Sequence, residues 1–191
     1  VKLAGALDQF GVCPSGKRCL DIGASTGGFT QVLLQRNAST VTALDVAYGI
    51  LDLRLRQDPR VIVIERTNFR LVPDDFFSTP FDLIAADVSF ISLRRIIPKA
   101  ALFLTASGDI MVLIKPQFEA APELVEPVGI VRDPDVHVRI ITGLQEAFAP
   151  CTLFLQGLHS VTRANSRKNQ EFLSWWRRSP SSFVPKFPIL P

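Results

Sequence analysis

Asp21, Asp45, Asp87 and Lys115 each stand at or beside the end of a short apolar run. A carboxylate and an ammonium brought together in such a place can orient an acceptor group or move a proton. For Asp87 and Lys115 the competing reading is a buried ion pair that only specifies the fold. Asp21 leads into the stretch Asp21-Ile22-Gly23-Ala24-Ser25-Thr26-Gly27-Gly28, followed by Phe29. Glycines permit a tight turn and let a ligand approach the backbone. The stretch departs from the dinucleotide pattern G-x-G-x-x-G, because Ser25 stands where its second glycine would be. A carboxylate before the loop would repel a pyrophosphate and suits a cationic or amine-bearing ligand, of which S-adenosylmethionine is one. Asp45 follows Gly23 by about 20 residues, the separation at which an acid reaches the ribose hydroxyls of a nucleoside. A nicotinamide or flavin site, and a turn with no ligand, are the alternatives. Asn68, Tyr48, Phe90 and Phe118 lie near these stretches. Each has a second reading, loop capping for Asn68 and packing for the aromatic rings.

The elements that must carry these groups follow from the apolar runs. Strands are predicted over residues 18–22, 40–44, 61–64, 81–86 and 110–114, with two later ones over 152–158 and 171–176. The first five lack alternation, as expected of strands buried on both faces of a parallel sheet. Helices are predicted over 29–35, 93–104 and 135–148, the last started by Asp133-Pro134. Their alternation with the strands predicts a doubly wound α/β fold with a mostly parallel seven-stranded sheet, and ligands in such sheets bind beyond the carboxyl ends of the strands. Trp175 and Trp176 are expected to pack in the core or at a sheet edge, and His137 and His159 to be structural.

Composition narrows the function classes. The chain has 191 residues, 47% hydrophobic and 20% charged, which is enough to bury a core and excludes dominant disorder. No apolar run is long enough for a transmembrane helix, and the first residues do not read as a signal peptide. Cys13, Cys19 and Cys151 show no CxxC spacing, and two histidines give no zinc pattern, so no metal is expected. Three thiols of this kind suit a reducing, cytoplasmic compartment. From Val161 onward there are six basic residues against Glu171 alone. A basic end on a near-neutral body fits a solvated basic tail and a nucleic-acid contact equally; on the second reading Arg163, Arg167 and Lys168, joined by Arg177 and Arg178, are the expected phosphate contacts. Residues 179–191 are rich in Ser and Pro and read as a poorly ordered tail. The chain does not begin with Met, which predicts an excerpt of a longer protein.

Several segments together resemble the TlyA (hemolysin A) family of FtsJ-like ribose methyltransferases. They are Asp21-Ile22-Gly23-Ala24-Ser25-Thr26-Gly27-Gly28-Phe29-Thr30, Ala43-Leu44-Asp45-Val46-Ala47-Tyr48-Gly49, Glu65-Arg66-Thr67-Asn68, Asp87-Val88-Ser89-Phe90-Ile91-Ser92-Leu93, Leu113-Ile114-Lys115-Pro116-Gln117-Phe118-Glu119 and Gly129-Ile130-Val131-Arg132-Asp133-Pro134. The resemblance runs from Lys2 to about Trp176. It implies a Rossmann-like class I methyltransferase fold over residues 1–178 and a Lys-Asp-Lys-Glu active-site tetrad on Lys2, Asp87, Lys115 and Glu171. It also implies an S-adenosylmethionine site formed by Asp21, residues 23–29, Asp45, Val46, Asn68 and Asp87. The implied acceptor is a ribose 2′-hydroxyl of ribosomal RNA, with cytidine the usual nucleoside, and the implied partners are ribosomal RNA or ribosomal subunits. The family carries an N-terminal RNA-binding module, which this sequence lacks. Residues 163–170 depart from the family's Gly-Pro-Glu-Gly-Asn approach to the glutamate, which bears on the substrate loop.

The family's older name invites a pore-forming hemolysin, but a pore needs an apolar span or amphipathic inserting segments, and neither is evident. A binding module without catalysis would not need Asp87 and Lys115 in intact motifs. Base-amino methyltransferases carry an Asn/Asp-Pro-Pro-aromatic motif after the fourth strand, where this chain has Asp87-Val88-Ser89-Phe90.

Overall fold

The computed structural model describes residues 2–161 and 168–178. The chain runs α1 (Lys2–Phe10), β1 (Arg18–Ile22), α2 (Gly28–Gln35), β2 (Thr40–Leu44), α3 (Leu53–Arg56), β3 (Val61–Ile64), β4 (Phe81–Ala86), α4 (Ile97–Leu102), β5 (Leu104–Ile114), α5 (Pro134–Phe148), β6 (Phe154–Ser160) and β7 (Phe172–Arg177). Seven strands form one sheet in the order β3-β2-β1-β4-β5-β7-β6. The five strands from β3 to β5 are parallel, and β7 runs antiparallel to both β5 and β6.

Successive residues of a strand point to opposite faces, and that alternation divides the core in two. Leu20, Ile22, Ile84, Ile110 and Val112 face α4 and α5, meeting Ile97, Ile140, Leu144 and Phe148. Cys19, Leu83, Ala85, Met111 and Leu113 face α1 and α2, meeting Leu3, Leu7, Phe29 and Leu33. Both faces are covered, which is why the strand sequences carry no polar alternation.

Registry places the ends of β1 to β4 level, and β5 runs two residues further. Ile22 lies opposite Leu44 on one side and Ala86 on the other, Ala86 lies opposite Val112, and Ile114 lies opposite Phe172. The residues that follow, Gly23, Asp45, Asp87, Lys115 and, from the antiparallel side, Glu171, therefore gather along one edge. The strand order reverses between β1 and β4, the position at which a doubly wound sheet opens a crevice.

Four departures from the sequence expectations have local causes. The helix expected over 93–104 is a 3-10 turn, Leu93–Arg95, followed by α4. Pro98 has no N–H for the Arg94 carbonyl, so one continuous helix loses a bond there. β5 begins at Leu104 instead of Ile110, with a register shift in its pairing to β4. The two late strands lie one or two residues further on than expected. Helix α1 was not expected, although Leu3, Ala6, Leu7 and Phe10 have helical spacing and the first three are buried.

Trp176 is fully buried, and Trp175 stacks on Phe10 at 5.8 Å, so both tryptophans pack as expected. His137 is buried and its Nε2 lies 3.0 Å from the Val131 carbonyl. Arg177 and Arg178 do not lie beside the strand ends. Arg177 pairs with the buried Asp109 at 2.7 Å, and Arg178 bonds the Ala101 carbonyl, both towards the other end of the sheet. Cys19 is buried, which pushes its thiol up to about 12. Among the described residues no helix is long and apolar enough to cross a membrane, and no His/Cys/Asp/Glu cluster could hold a metal. The expected tail and the basic residues Arg163 and Arg167 lie outside the described residues.

Candidate active site

Two adjoining clefts open at the level strand ends. One, of about 410 Å³, is lined by the loop from Gly23 to Phe29 on one wall and by Lys2, Asp87, Ser89 and Lys115 on the other. The second, of about 450 Å³, is walled by Asp45, Val46, Ile50, Asn68, Phe69 and Ile96. Gly23, Ser25, Asp87 and Ser89 border both, so one elongated ligand can occupy the two together.

Three charged residues line the first cleft, Lys2, Asp87 and Lys115, and Glu171 joins them as the partner of Lys2. Lys115 Nζ lies 2.7 Å from Asp87 Oδ1 and donates a hydrogen bond to Ser89 Oγ at 2.8 Å. Lys2 Nζ meets Glu171 Oε2 at 2.5 Å. Lys2 is delivered by the first turn of α1, Asp87 and Lys115 by the ends of neighbouring parallel strands, and Glu171 by the residue before β7. The four residues named from sequence are thus brought together from positions up to 169 apart in the chain. Lys115 and Asp87 are largely shielded, with side chains 13% and 29% exposed, so their attraction is weakly screened.

The glycine loop is built on backbone bonds. Gly23 and Ala24 donate to the Leu44 carbonyl at 2.9 and 3.2 Å, and Asp87 N donates to the Ile22 carbonyl at 3.0 Å. Ser25 takes a left-handed φ of 51°, and its N–H donates to Asp45 Oδ2 at 2.7 Å. Ala47 N donates to the other Asp45 oxygen at 2.8 Å, which fixes the carboxylate at the rim of the second cleft. A Cβ on Gly28 would meet nothing within 4 Å, so the loop leaves open space for a ligand there. Gly27 instead turns against Leu51 and Leu55 and borders neither cleft. Asn68 caps the 3-10 turn Phe69–Leu71 through Arg70 N, as its capping reading expects, and also lines the second cleft.

Asp21 lies apart from the ligand-facing set. It is fully buried, and its Oδ2 accepts from Thr30 N at 2.8 Å and Thr30 Oγ1 at 2.7 Å, which ties β1 to the first turn of α2. Burial pushes its carboxyl up to about 7; the Thr30 bonds oppose this, and the neighbouring Asp87 and Asp45 charges add to it.

Further residues escaped the sequence reading. Glu119 accepts from Ser92 Oγ and Leu93 N, both at 2.7 Å, and burial pushes its carboxyl above the ordinary range. Asn169 accepts from Val131 N and donates to the Gly129 carbonyl, both at 2.8 Å, which joins the segment before Glu171 to the 129–131 turn. Polar residues that bridge loops distant in sequence leave no spacing signal. Phe90, 90% exposed at a φ of 62°, projects at the lip of the second cleft with its ring 5.1 Å from that of Phe118. Lys168 is exposed.

The comparisons agree with this geometry. The FtsJ-like methyltransferase family matches residues 1–178. The chain is 42% identical over 176 residues, 92% of its length, to a Mycobacterium tuberculosis protein named 16S/23S rRNA (cytidine-2′-O)-methyltransferase TlyA, and covers 66% of that relative. It spans about two thirds of the length of such curated relatives. A solved Lactococcus lactis structure, given the provisional name of hemolysin, superposes with a TM-score of 0.86 at 41% identity, covering 93% of this chain and 86% of that one. An S-adenosylmethionine-dependent methyltransferase from Mesorhizobium loti shares the fold, with a TM-score of 0.67 at 14% identity over 93% of this chain and 98% of its own. By the extent of these matches, the chain belongs to the FtsJ-like methyltransferase family.

Proposed function

We propose that this protein binds S-adenosylmethionine and transfers its methyl group to a ribose 2′-hydroxyl of ribosomal RNA, with cytidine as the acceptor nucleoside. The observation that carries the reading is Lys115 Nζ, set between Asp87 and Ser89 across the cleft from the glycine loop. The Mycobacterium tuberculosis relative bears the name of a cytidine 2′-O-methyltransferase of 16S and 23S rRNA, which supports the acceptor.

The two clefts fit the cofactor. The second offers a fixed carboxylate, Asp45, for ribose hydroxyls, apolar walls at Val46 and Ile50 for a purine, and Asn68 for its polar edge. The first offers the open side of Gly28 and the 24–29 wall to the amino-acid end. When bound, S-adenosylmethionine supplies an electrophilic methyl group on a cationic sulfur.

The residues of the chain do the rest. A ribose hydroxyl is a very weak acid, so the acceptor oxygen must be aligned and relieved of its proton as it reacts. Lys115 Nζ faces that oxygen, taking the proton or neutralising the negative charge that develops. Asp87 and Ser89 hold the lysine in place. Lys2 and Glu171 complete a set of two cations and two anions. The exposed ring of Phe90 offers a face to a nucleobase, and Arg163, Arg167 and Lys168 offer cations to phosphates.

The test is mass spectrometry of ribosomal RNA from cells with and without the complete gene product, followed by transfer in vitro. A cytidine ribose methyl that depends on the protein is expected. Identical ribose methylation in both would overturn the reading.

A further inference from the structure

The loops that leave β4 and β5 each begin with one member of the Lys115–Asp87 pair. Strand pairing fixes where the loops start and leaves their paths free. A few residues on they are joined: Glu119 Oε1 accepts from Leu93 N and Oε2 accepts from Ser92 Oγ, both at 2.7 Å. On the Lys115 side the path is a closed turn. Phe118 N donates to the Lys115 carbonyl at 2.9 Å, and Glu119 N and Ala120 N donate to the Pro116 carbonyl at 3.1 and 2.9 Å. Glu119 is therefore set relative to Lys115 by backbone bonds alone. On the Asp87 side, Asp87 N is held by the Ile22 carbonyl, Ser89 Oγ accepts from Lys115 Nζ, and the far end of the loop is held by the Glu119 carboxylate at the start of the 93–95 turn.

We infer that Glu119 is a positioning residue for methyl transfer, whose carboxylate joins the 87–93 loop to the 115–119 turn and so sets the path of the loop that holds Ser89 against the Lys115 ammonium. The inference rests on the function proposed above. Glu119 borders neither cleft, so it acts through the pair and not on a ligand. The residue type matters. Ser92 Oγ accepts from Arg94 N at 3.2 Å and gives its hydroxyl hydrogen to Glu119. Two donors, Leu93 N and Ser92 Oγ, thus converge on one side chain, and a carboxylate supplies two acceptors where a carboxamide supplies one. Glutamine can accept from Leu93 N but must reverse the bond to Ser92, donating to an oxygen that already accepts from Arg94 N, and alanine leaves a buried N–H and a hydroxyl unmet.

The experiment compares wild type, Glu119→Ala, Glu119→Gln, Ser92→Ala and the Ser92→Ala/Glu119→Ala pair in the complete protein. S-adenosylmethionine affinity is measured by calorimetry, and methyl transfer to ribosomal RNA across pH. For Glu119→Ala we expect cofactor affinity within about threefold of wild type and turnover about 100-fold lower at unchanged KM, the scale of a misplaced reacting group. Glu119→Gln recovers part of the rate, and the double variant is no slower than Glu119→Ala, because both substitutions release one clamp. The pH profile shifts in Glu119→Ala and not in an equally destabilised core variant. If Glu119→Ala fails to fold, Ser92→Ala and Glu119→Gln carry the test by the same split. Wild-type turnover in the Glu119 variants, or a loss confined to KM or to the folded fraction, overturns the positioning role alone. A wild type that transfers no methyl group to ribosomal RNA overturns the proposed function, and the positioning role with it.

Discussion

A Cβ built on Gly23 would lie 2.5 Å from the carbonyl oxygen of Asp87. The first residue of the glycine loop and the residue that closes β4 are therefore in backbone contact, and Gly23 also has a φ of 79°. The glycine is needed for the approach of the protein's own chain as much as for a ligand.

Gly23→Ala meets both obstacles, a left-handed φ and a backbone oxygen that cannot swing aside. It should destabilise the protein by about 1–3 kcal/mol, the scale of backbone strain, and displace Asp87. Denaturant unfolding and methyl transfer measured together check this; a variant with wild-type stability would contradict the contact.

Lys115→Ala should keep the fold and S-adenosylmethionine affinity while abolishing transfer. Lys115→Arg separates two roles, because a guanidinium cannot give up its proton. Residual transfer in the arginine variant would indicate charge neutralisation at the acceptor oxygen, and none would indicate proton removal. Near-normal turnover in Lys115→Ala would remove the lysine from the site.

Asp45 is fixed by Ser25 N and Ala47 N and borders the second cleft. Asp45→Ala should weaken S-adenosylmethionine binding by about 1–3 kcal/mol, the range for hydrogen bonds to a charged group. Equal calorimetric affinity would exclude Asp45 from the cofactor site.

The Asp21 carboxyl, pushed by burial from 3.8 up to about 7, gives a signed pH dependence. Between those values the folded protein holds a proton that the unfolded chain has lost, so this group lowers stability as pH rises through that window and levels off above it. Asn does not titrate. Relative to wild type, Asp21→Asn should gain on the order of 2–4 kcal/mol between about pH 4 and pH 8. Denaturant titrations across pH test it, and a difference that does not vary with pH would contradict it.

The strand pattern was legible because apolar runs bounded by polar residues survive any detail of packing. Strands β1 to β4 lie where that pattern puts them. The start of β5 was hidden, since Thr105, Ser107 and Gly108 give no apolar signal although they continue the strand. Asp87 and Lys115 were legible as strand-end charges, and the structure pairs them. The direction of Asp21 was not. An acid before a glycine loop reads the same whether it faces a ligand or Thr30, and only the fold decides. Arg177 shows the limit of charge counting. Its sequence neighbour Arg178 is basic, but its partner Asp109 is 68 residues away.

The place of β7 has a consequence for how the protein is made. This last strand sits between β5 and β6, both synthesised before it. Until residues 171–177 leave the ribosome, β5 and β6 have an empty lane between them and Lys2 lacks its glutamate. The glycine loop, Asp45 and the Lys115–Asp87 pair depend only on strands already present. A growing chain can thus shape the two clefts before the full charge set exists, and the insertion of β7, a long-range pairing that is slow to form, is what completes that set.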